Sequence, residues 1–339
     1  MSKPTICIVS PALAAANNGN WQTASRWAGF LTPRYEVSIA SAWPDAGPDA
    51  PPPHLLIALH ARRSAASLAA FRAAHPARPT LLVLTGTDLY RDIRTDASAQ
   101  ASLSAADALV VLQSAGLDEL PAAARGKAHV IFQSAPPLPH PGVRSDIRTQ
   151  AQPHEMPVSR QREIVMIGHL RDEKDPLTFM RAAPLVQAPS AKLVHIGGAL
   201  DPDLGDEAEA TQKTTPRYAW LGALPHDETR ERLRQAHAMV ICSKMEGGAN
   251  VIIEAVTSGV PVLASDISGN RGMLGSDYEG YFPLGDAQAL ARLIDRSVED
   301  GAFAARLRAQ CAARARLFEP ATEQAALLAL VDNLLHQKK

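Results

Sequence analysis

Two carboxylates eight residues apart, Glu246 and Glu254, flank a run of small residues in SKMEGGANVIIEAVTSGVPVLASD (243–266). Residues 250–258 are expected to be helical. Val251, Ile252, Ala255 and Val256 form an apolar face, Gly259 stops the helix and Pro261 opens the next strand. EGGAN then lies at a helix N-terminus, where free amides and the helix dipole suit a phosphate. Glu254, one turn inside, has two oxygens for the vicinal hydroxyls of a ribose. Glu246, ahead of the helix, can face a sugar. The same residues also fit a Gly-rich turn before a helix whose acidic first turn complements its dipole.

The elements that would position these groups come from a repeated alternation. TICIVS (5–10), EVSIAS (36–41), LLIAL (55–59), TLLVLTG (80–86), ALVVL (108–112) and AHVIF (128–132) read as short buried strands. Helical stretches are expected between them near 21–31, 64–75, 95–105 and 114–124. Residues 133–160 are rich in Pro and polar residues and read as a linker or exposed excursion. Strands then resume at EIVMIG (163–168), AKLVHIGG (191–198), YAWLGAL (218–224), AMVICS (238–243) and VPVLASD (260–266), with helices near 176–187 and 226–236. Three helices near 286–297, 300–317 and 321–336 close the chain. Apolar strands alternating with helices predict parallel sheets covered on both faces. We expect two Rossmann-like domains with a cleft between them, residues 1–150 and 151–320. Residues 321–339 form a C-terminal helix that can pack back on the first domain. Ligands in such sheets bind beyond the C-terminal strand ends.

Composition sets limits. The 339 residues are 46% hydrophobic, and 34 basic against 35 acidic residues argue against a dedicated nucleic-acid binder. Residues 1–150 carry 13 Lys+Arg and 10 Asp+Glu, whereas the remainder carries 21 and 25. The small positive excess of the first half suits an anionic ligand. Cys7, Cys242 and Cys311 are too far apart for a Cys-rich zinc motif and suit a reducing cytosol. Cys7 and Cys242 sit in apolar runs and are expected in the core. No signal peptide and no membrane span is expected, so the chain reads as cytoplasmic.

The segment SKMEGGANVIIEAVTSGVPVLAS resembles the donor-site signature of glycosyltransferase family 4: Glu, seven residues, Glu, then Gly-x-Pro-Val. The resemblance covers the second half in order. It implies a GT-B fold and transfer of a sugar from a nucleotide donor, most readily UDP-linked, with retention of configuration and no metal. It further implies that Glu254 holds the ribose, that the loop of Gly247, Gly248, Ala249, Asn250 and Val251 meets the distal phosphate, and that Glu246 lies by the donor sugar. IGHLRDEKDP (167–176) resembles the family's Gly-Arg-Leu-x-x-x-Lys segment, so Gly168 and Lys174 are expected at the donor diphosphate. The family's Arg is His169 here, a departure that Arg171 is placed to offset. A surface pair of Lys174 with Asp172 or Glu173 is the bland alternative. YAWLGAL, with Leu221, resembles the strand and loop against the nucleotide base. SDISGNRG (265–272) resembles the loop that closes over the donor, with Arg271 either a contact or solvated.

The first half is then expected to bind the acceptor. A loop containing Gly19 and Asn20 feeds the helix near 21–31 and forms a second candidate anion site. His60 follows LLIAL, at a strand end where the family often carries a His toward the acceptor. TGTDLYRDI (85–93) resembles the acceptor-side loop and offers Asp88 and Arg91, although Asp88 equally suits a helix cap. The Asp201-Pro202-Asp203 triplet matches an Asp-x-Asp metal motif but is expected in a solvated acidic loop. More narrowly, the chain resembles the selenosugar synthases of selenoneine biosynthesis, which implies selenophosphate as acceptor and a UDP-glucose or UDP-N-acetylglucosamine type of donor. Lys174, Glu246 and His60 are the expected catalytic residues. The alternatives are a glycosyltransferase acting on a sugar or lipid hydroxyl, which needs a base such as His60, a UDP-sugar epimerase, which needs no acceptor, and a non-catalytic binding protein.

Overall fold

The computed structural model describes residues 3–13, 19–45, 51–136, 138 and 161–337. The first domain runs β1 (Thr5–Val9), α1 (Gly19–Leu31), β2 (Glu36–Ala40), β3 (Leu55–Leu59), α2 (Ala65–Ala74), β4 (Thr80–Leu84), a π-helical turn (Asp88–Asp92), α3 (Ile93–Thr95), α4 (Ala97–Ala105), β5 (Ala108–Val111), α5 (Gly116–Glu119), α6 (Ala122–Arg125) and β6 (Ala128–Val130). The second runs β7 (Arg162–Ile167), α7 (Pro176–Ala182), β8 (Ala191–Ile196), α8 (Pro202–Thr214), β9 (Tyr218–Trp220), α9 (His226–Gln235), β10 (Ala238–Ile241), α10 (Asn250–Thr257), β11 (Val262–Ser265), α11 (Ser268–Leu274), β12 (Tyr281–Phe282), α12 (Ala287–Glu299) and α13 (Gly301–Arg314). The last helix, α14 (Pro320–Gln337), returns to the first domain.

Each domain holds a six-stranded parallel sheet, ordered β2-β1-β3-β4-β5-β6 and β12-β11-β10-β7-β8-β9. Every residue of β3 and β4 is buried, as strands covered on both faces require. The two Rossmann-like domains expected from the alternation are therefore present. The strand order reverses between β1 and β3 in one sheet and between β7 and β10 in the other. The crevices outside the C-terminal ends of those strand pairs are where such sheets bind ligands.

Leu327, Leu330, Val331 and Leu334 of α14 join Trp27, Leu31 and Tyr35 in a first-domain core. The tie is polar as well as apolar. Glu323, almost fully buried, accepts from Arg26 Nε at 2.8 Å, Trp27 Nε1 at 2.7 Å, and the backbone N–H and Oγ of Ser134 at 2.7 and 2.6 Å. Removing one partner of a buried, hydrogen-bonded charge pair costs about 3–5 kcal/mol. Glu323→Ala is therefore expected to lower the thermal unfolding midpoint by several degrees, measurable by circular dichroism. A shift of under about 1 °C would show that the carboxylate is not a stabilising hub.

Three local expectations are corrected. The stretch after Asp201 is a helix, not a loop: Asp201 caps α8, accepting from Asp203 N at 3.1 Å, and the acidic residues lie along its exposed turns. The stretch 114–124 is split into α5 and α6 because Pro121 cannot continue the first of them. SDISGNRG is mostly the helix α11, whose Arg271 pairs with Asp266 (2.5 Å) at an exposed position, so Arg271 is a surface residue. Most of the Pro-rich stretch 133–160 lies outside the described residues. No helix among the described residues is long and apolar enough to cross a membrane.

Candidate active site

Two adjoining cavities, about 520 and 200 Å³, open between the domains at the C-terminal strand ends. A larger hollow of about 1240 Å³ lies at the N-terminal ends of β7, β10 and β11, beside Arg162, His237 and Pro261. That is the end of a doubly wound sheet where ligands are not expected. The eight-residue spacing of Glu246 and Glu254 distributes the two carboxylates between the interdomain cavities.

Glu254 and Asn250 of α10 line the larger cavity. The helix starts at Asn250 with no side-chain cap, which leaves its first amides available to an anion. Glu254 is held within α10 between buried Ile253 and Ala255, and its Oε1 lies 2.9 Å from His226 Nε2. Apolar walls come from Ile167, Ile196, Leu224 and Val251. Leu221 does not contribute. Its backbone N–H donates to His195 O at 2.9 Å and its side chain packs on the second-domain core, so Ala223 and Leu224 reach the cavity in its place.

Gly168 and His169 follow β7 on the same wall. The buried imidazole of His195 secures this turn: its Nε2 donates to Gly168 O and its Nδ1 accepts from Tyr218 OH, both at 3.2 Å. Burial pushes the pKa of His195 down to about 4, so the ring is neutral. Gly197, at φ 156°, lies so close that a Cβ would stand 1.9 Å from Gly168 O. His169 Nδ1 accepts from Gly198 N at 3.1 Å, which leaves Nε2 as its N–H. Arg171 lines the smaller cavity together with Lys174, whereas His169 lines the larger one.

In the smaller cavity, Lys174 Nζ bonds Glu246 Oε1 at 2.5 Å, with both side chains largely buried. Lys174 therefore pairs with the site carboxylate, while Asp172 takes Lys244. The opposite wall belongs to the first domain. His60 ends β3 at φ 75°, a left-handed conformation that is strained for a non-glycine residue and recurs at functional sites. Its Nδ1 accepts from Arg63 N at 3.3 Å, so Nε2 carries the proton toward Thr87 Oγ1 at 3.1 Å. Burial lowers its pKa, a shift that Asp88 and Asp92 oppose. Arg63 and Arg91 flank the same space, with Arg91 steadied by buried Asp92 at 3.0 Å.

Asp88 is not a ligand contact. It is fully buried, and its carboxylate accepts from Ala61 N, Thr85 N and Gly86 N at 2.8–2.9 Å, which shapes the loop rather than the cavity. Gly19 and Asn20 do line the cavity, but as the first turn of α1. The preceding residues 14–18 lie outside those described, and a Cβ at Gly19 would meet nothing within 4 Å.

Gly247 and Gly248 serve the domain contact. A Cβ on Gly247 would stand 2.4 Å from Thr85 O, and one on Gly248 would stand 2.8 Å from Leu112 Cβ. Gln133, with its amide oriented to satisfy both neighbours, donates to Gly248 O at 3.2 Å across the cleft and accepts from Arg26 Nη2 at 3.2 Å. Sequence reasoning passed over His226, Arg63, Thr87 and Gln133. His226 opens a helix after a strand-loop, and Arg63 follows His60 by three residues. Both placements were readable as site positions, whereas Gln133 carried no such signal. Among the described residues, no group of His, Cys, Asp or Glu is arranged to hold a metal ion.

Residues 148–318 match the family described as Glycosyl transferases group 1. A UDP-Gal:alpha-D-GlcNAc-diphosphoundecaprenol alpha-1,3-galactosyltransferase of Escherichia coli is 27% identical over 141 residues, 40% of this chain and 36% of that one. The chain spans about a third of the length of the curated relatives it matches. Over nearly its whole length the fold is similar to two solved structures. Sucrose-phosphate synthase from Thermosynechococcus elongatus gives a TM-score of 0.75 at 18% identity, covering 99% of this chain and 100% of that one. HepE from Anabaena, solved in complex with UDP-glucose, gives 0.74 at 16% identity, covering 97% and 99%. These likenesses establish the GT-B arrangement of the two domains.

Proposed function

The chain belongs to the glycosyl transferases group 1 family, and on that premise we propose that it transfers a hexosyl group from a UDP-sugar to a small anion, selenophosphate. The larger cavity takes the nucleoside diphosphate, with Glu254 on the ribose hydroxyls and the first amides of α10 on the distal phosphate. The smaller cavity takes the sugar and the acceptor. The bond from the anomeric carbon to the diphosphate oxygen breaks through an oxocarbenium-like sugar, UDP leaves with the electron pair, and selenium attacks that carbon on the same face. No proton is removed from an acceptor that is already ionised. The Lys174 ammonium stabilises the leaving charge, and the amides and close walls orient the reactants.

The observation that supports an anionic acceptor is the His60 imidazole. One nitrogen accepts a backbone N–H and the other donates to Thr87, so no lone pair is left to take a proton from a hydroxyl. Arg63 and Arg91 supply positive charge on the same wall. Mass spectrometry of products from UDP-glucose and UDP-N-acetylglucosamine, with and without selenophosphate, tests the reading. A sugar with selenium still bonded to phosphate is expected, or the selenol and free phosphate where water then cleaves the P–Se bond. Transfer only to sugar or lipid hydroxyls, with His60→Ala costing several hundredfold, would replace it, because general-base help is worth about 10²–10⁴-fold. Turnover of the UDP-sugar without any acceptor would point to an epimerase.

Glu254→Ala is expected to weaken UDP binding by one to two decades, since losing a charged hydrogen-bond partner costs about 1.5–3 kcal/mol. Unchanged UDP affinity by calorimetry in the folded variant would remove Glu254 from the ribose. With Lys174 and backbone amides carrying the leaving charge, no metal is required, and activity is expected to survive EDTA. Activity lost on chelation and restored by manganese would refute that.

A further inference from the structure

We propose that His226 sets donor affinity by holding the carboxylate oxygen of Glu254 that the ribose hydroxyls need, so that protonation of this imidazole competes with nucleotide binding. The inference rests on Glu254 as the ribose anchor. Nothing in the sequence motifs assigns a role to His226.

The geometry makes the two ligands mutually exclusive at one atom. His226 Nε2 lies 2.9 Å from Glu254 Oε1, and both residues line the larger cavity. A vicinal diol presents two O–H donors and is matched by both oxygens of one carboxylate. Glu254 cannot turn away to serve both partners: it sits inside α10, and its side chain is 12% exposed. The imidazole can, because its side chain is 58% exposed in the first turn of α9, after Pro225. Nucleotide binding is therefore expected to displace His226 rather than Glu254.

The strength of the competitor depends on its charge. A neutral imidazole gives Glu254 one N–H bond, whereas an imidazolium gives a charge-assisted ion pair, roughly twice as strong. The groups around His226 are Glu254 on α10, Asp227 and Arg230 on its own helix, and Arg26 of α1 and His169 after β7, which line the same cavity. The hydrogen bond to Glu254 raises the pKa of His226, and partial desolvation and Arg230 act against it. A nucleotide that takes Glu254 away removes the group that stabilises the bound proton. Binding is thus disfavoured by protonation: affinity is fully present above the raised pKa and declines as pH falls through it.

Calorimetric titration with UDP-glucose tests this without interference, because both of its phosphates are esterified and carry no proton that titrates near neutrality. Wild-type affinity is expected to fall about three- to tenfold between about pH 8 and about pH 5.5. His226→Ala and His226→Gln are expected to bind more tightly than wild type at the lower pH and to lose the dependence. His226→Ala weakening UDP-glucose at both pH values would make His226 a supporting contact and overturn the proposal. So would a pH dependence that persists unchanged in both variants. Glu254→Ala in parallel separates the two readings. If it binds UDP-glucose as wild type does, the ribose assignment fails and this proposal with it. If it binds weakly while the His226 variants track wild type, only the role of His226 fails.

Discussion

Gly247→Ala is expected to lower kcat/KM by about a hundredfold or more while leaving the fold and UDP affinity nearly intact. The added Cβ would stand 2.4 Å from Thr85 O and 2.7 Å from Gly86 N. Both are backbone atoms of the opposite domain, so no side chain can rotate away. Relief requires the domains to separate by an ångström or so at the point where the Lys174–Glu246 wall meets Thr85, Gly86 and Thr87. A misplacement of that size at reacting atoms costs on the order of 10²-fold. The clash lies between domains, so neither core is disturbed and the unfolding midpoint is expected to stay within about 2 °C. The larger cavity is formed in large part by the second domain, so UDP affinity by calorimetry is expected to change less than about threefold. Steady-state kinetics decide the matter: a variant within threefold of wild type would show that this close approach is not part of the reacting geometry.

Lys174→Ala carries the second large effect, a loss in kcat of about 10²–10³-fold, the usual cost of removing one group aimed at developing charge. Two consequences follow from the 2.5 Å pair with Glu246. The proposed leaving group loses the Lys174 cation, and Glu246, whose side chain is 10% exposed, loses its ion-pair partner. Lys174→Arg is expected to recover part of the rate, because the charge returns without the fit. The informative comparison is between kcat and donor KM. A rise in KM with kcat unchanged would mean that Lys174 only binds the donor and does not favour the transition state.

Much of this protein was legible in one dimension because the information is local. Buried strands such as LLIAL and TLLVL announce themselves by continuous apolar residues, and the alternation with helices requires parallel sheets. Glu246 and Glu254 were legible for the same reason: their spacing along a turn and a helix is set by the chain between them. Signals that depended on which folded neighbours a residue meets were misread. Asp88 stands in a loop that suggests a ligand contact, but Ala61, Thr85 and Gly86 supply three backbone donors that use its carboxylate. Leu221 falls in a segment expected at the base, but its backbone bond to His195 turns it toward the core. The acidic run after Asp201 suggests a loop by composition, although a capped helix tolerates the same residues on its exposed face.

The sequence by itself determined the two-domain parallel architecture, the helix that carries Glu254 and the positions of the candidate cations, because hydrophobic period, glycine and proline punctuation and helix caps act within a few residues. Only the tertiary structure decided what those groups face. Gly247 looks like phosphate-loop chemistry but is also compelled by backbone 162 positions away, at Thr85. His60 looks like a base but is engaged at both nitrogens by Arg63 and Thr87. Arg171 stands two residues from His169 in the chain, yet the two line different cavities. For Gly247 and for His60 Nε2 the deciding neighbour comes from the opposite domain or from another loop. Steric exclusion and hydrogen-bond saturation are properties of that three-dimensional juxtaposition, which residue spacing along one strand or helix does not encode.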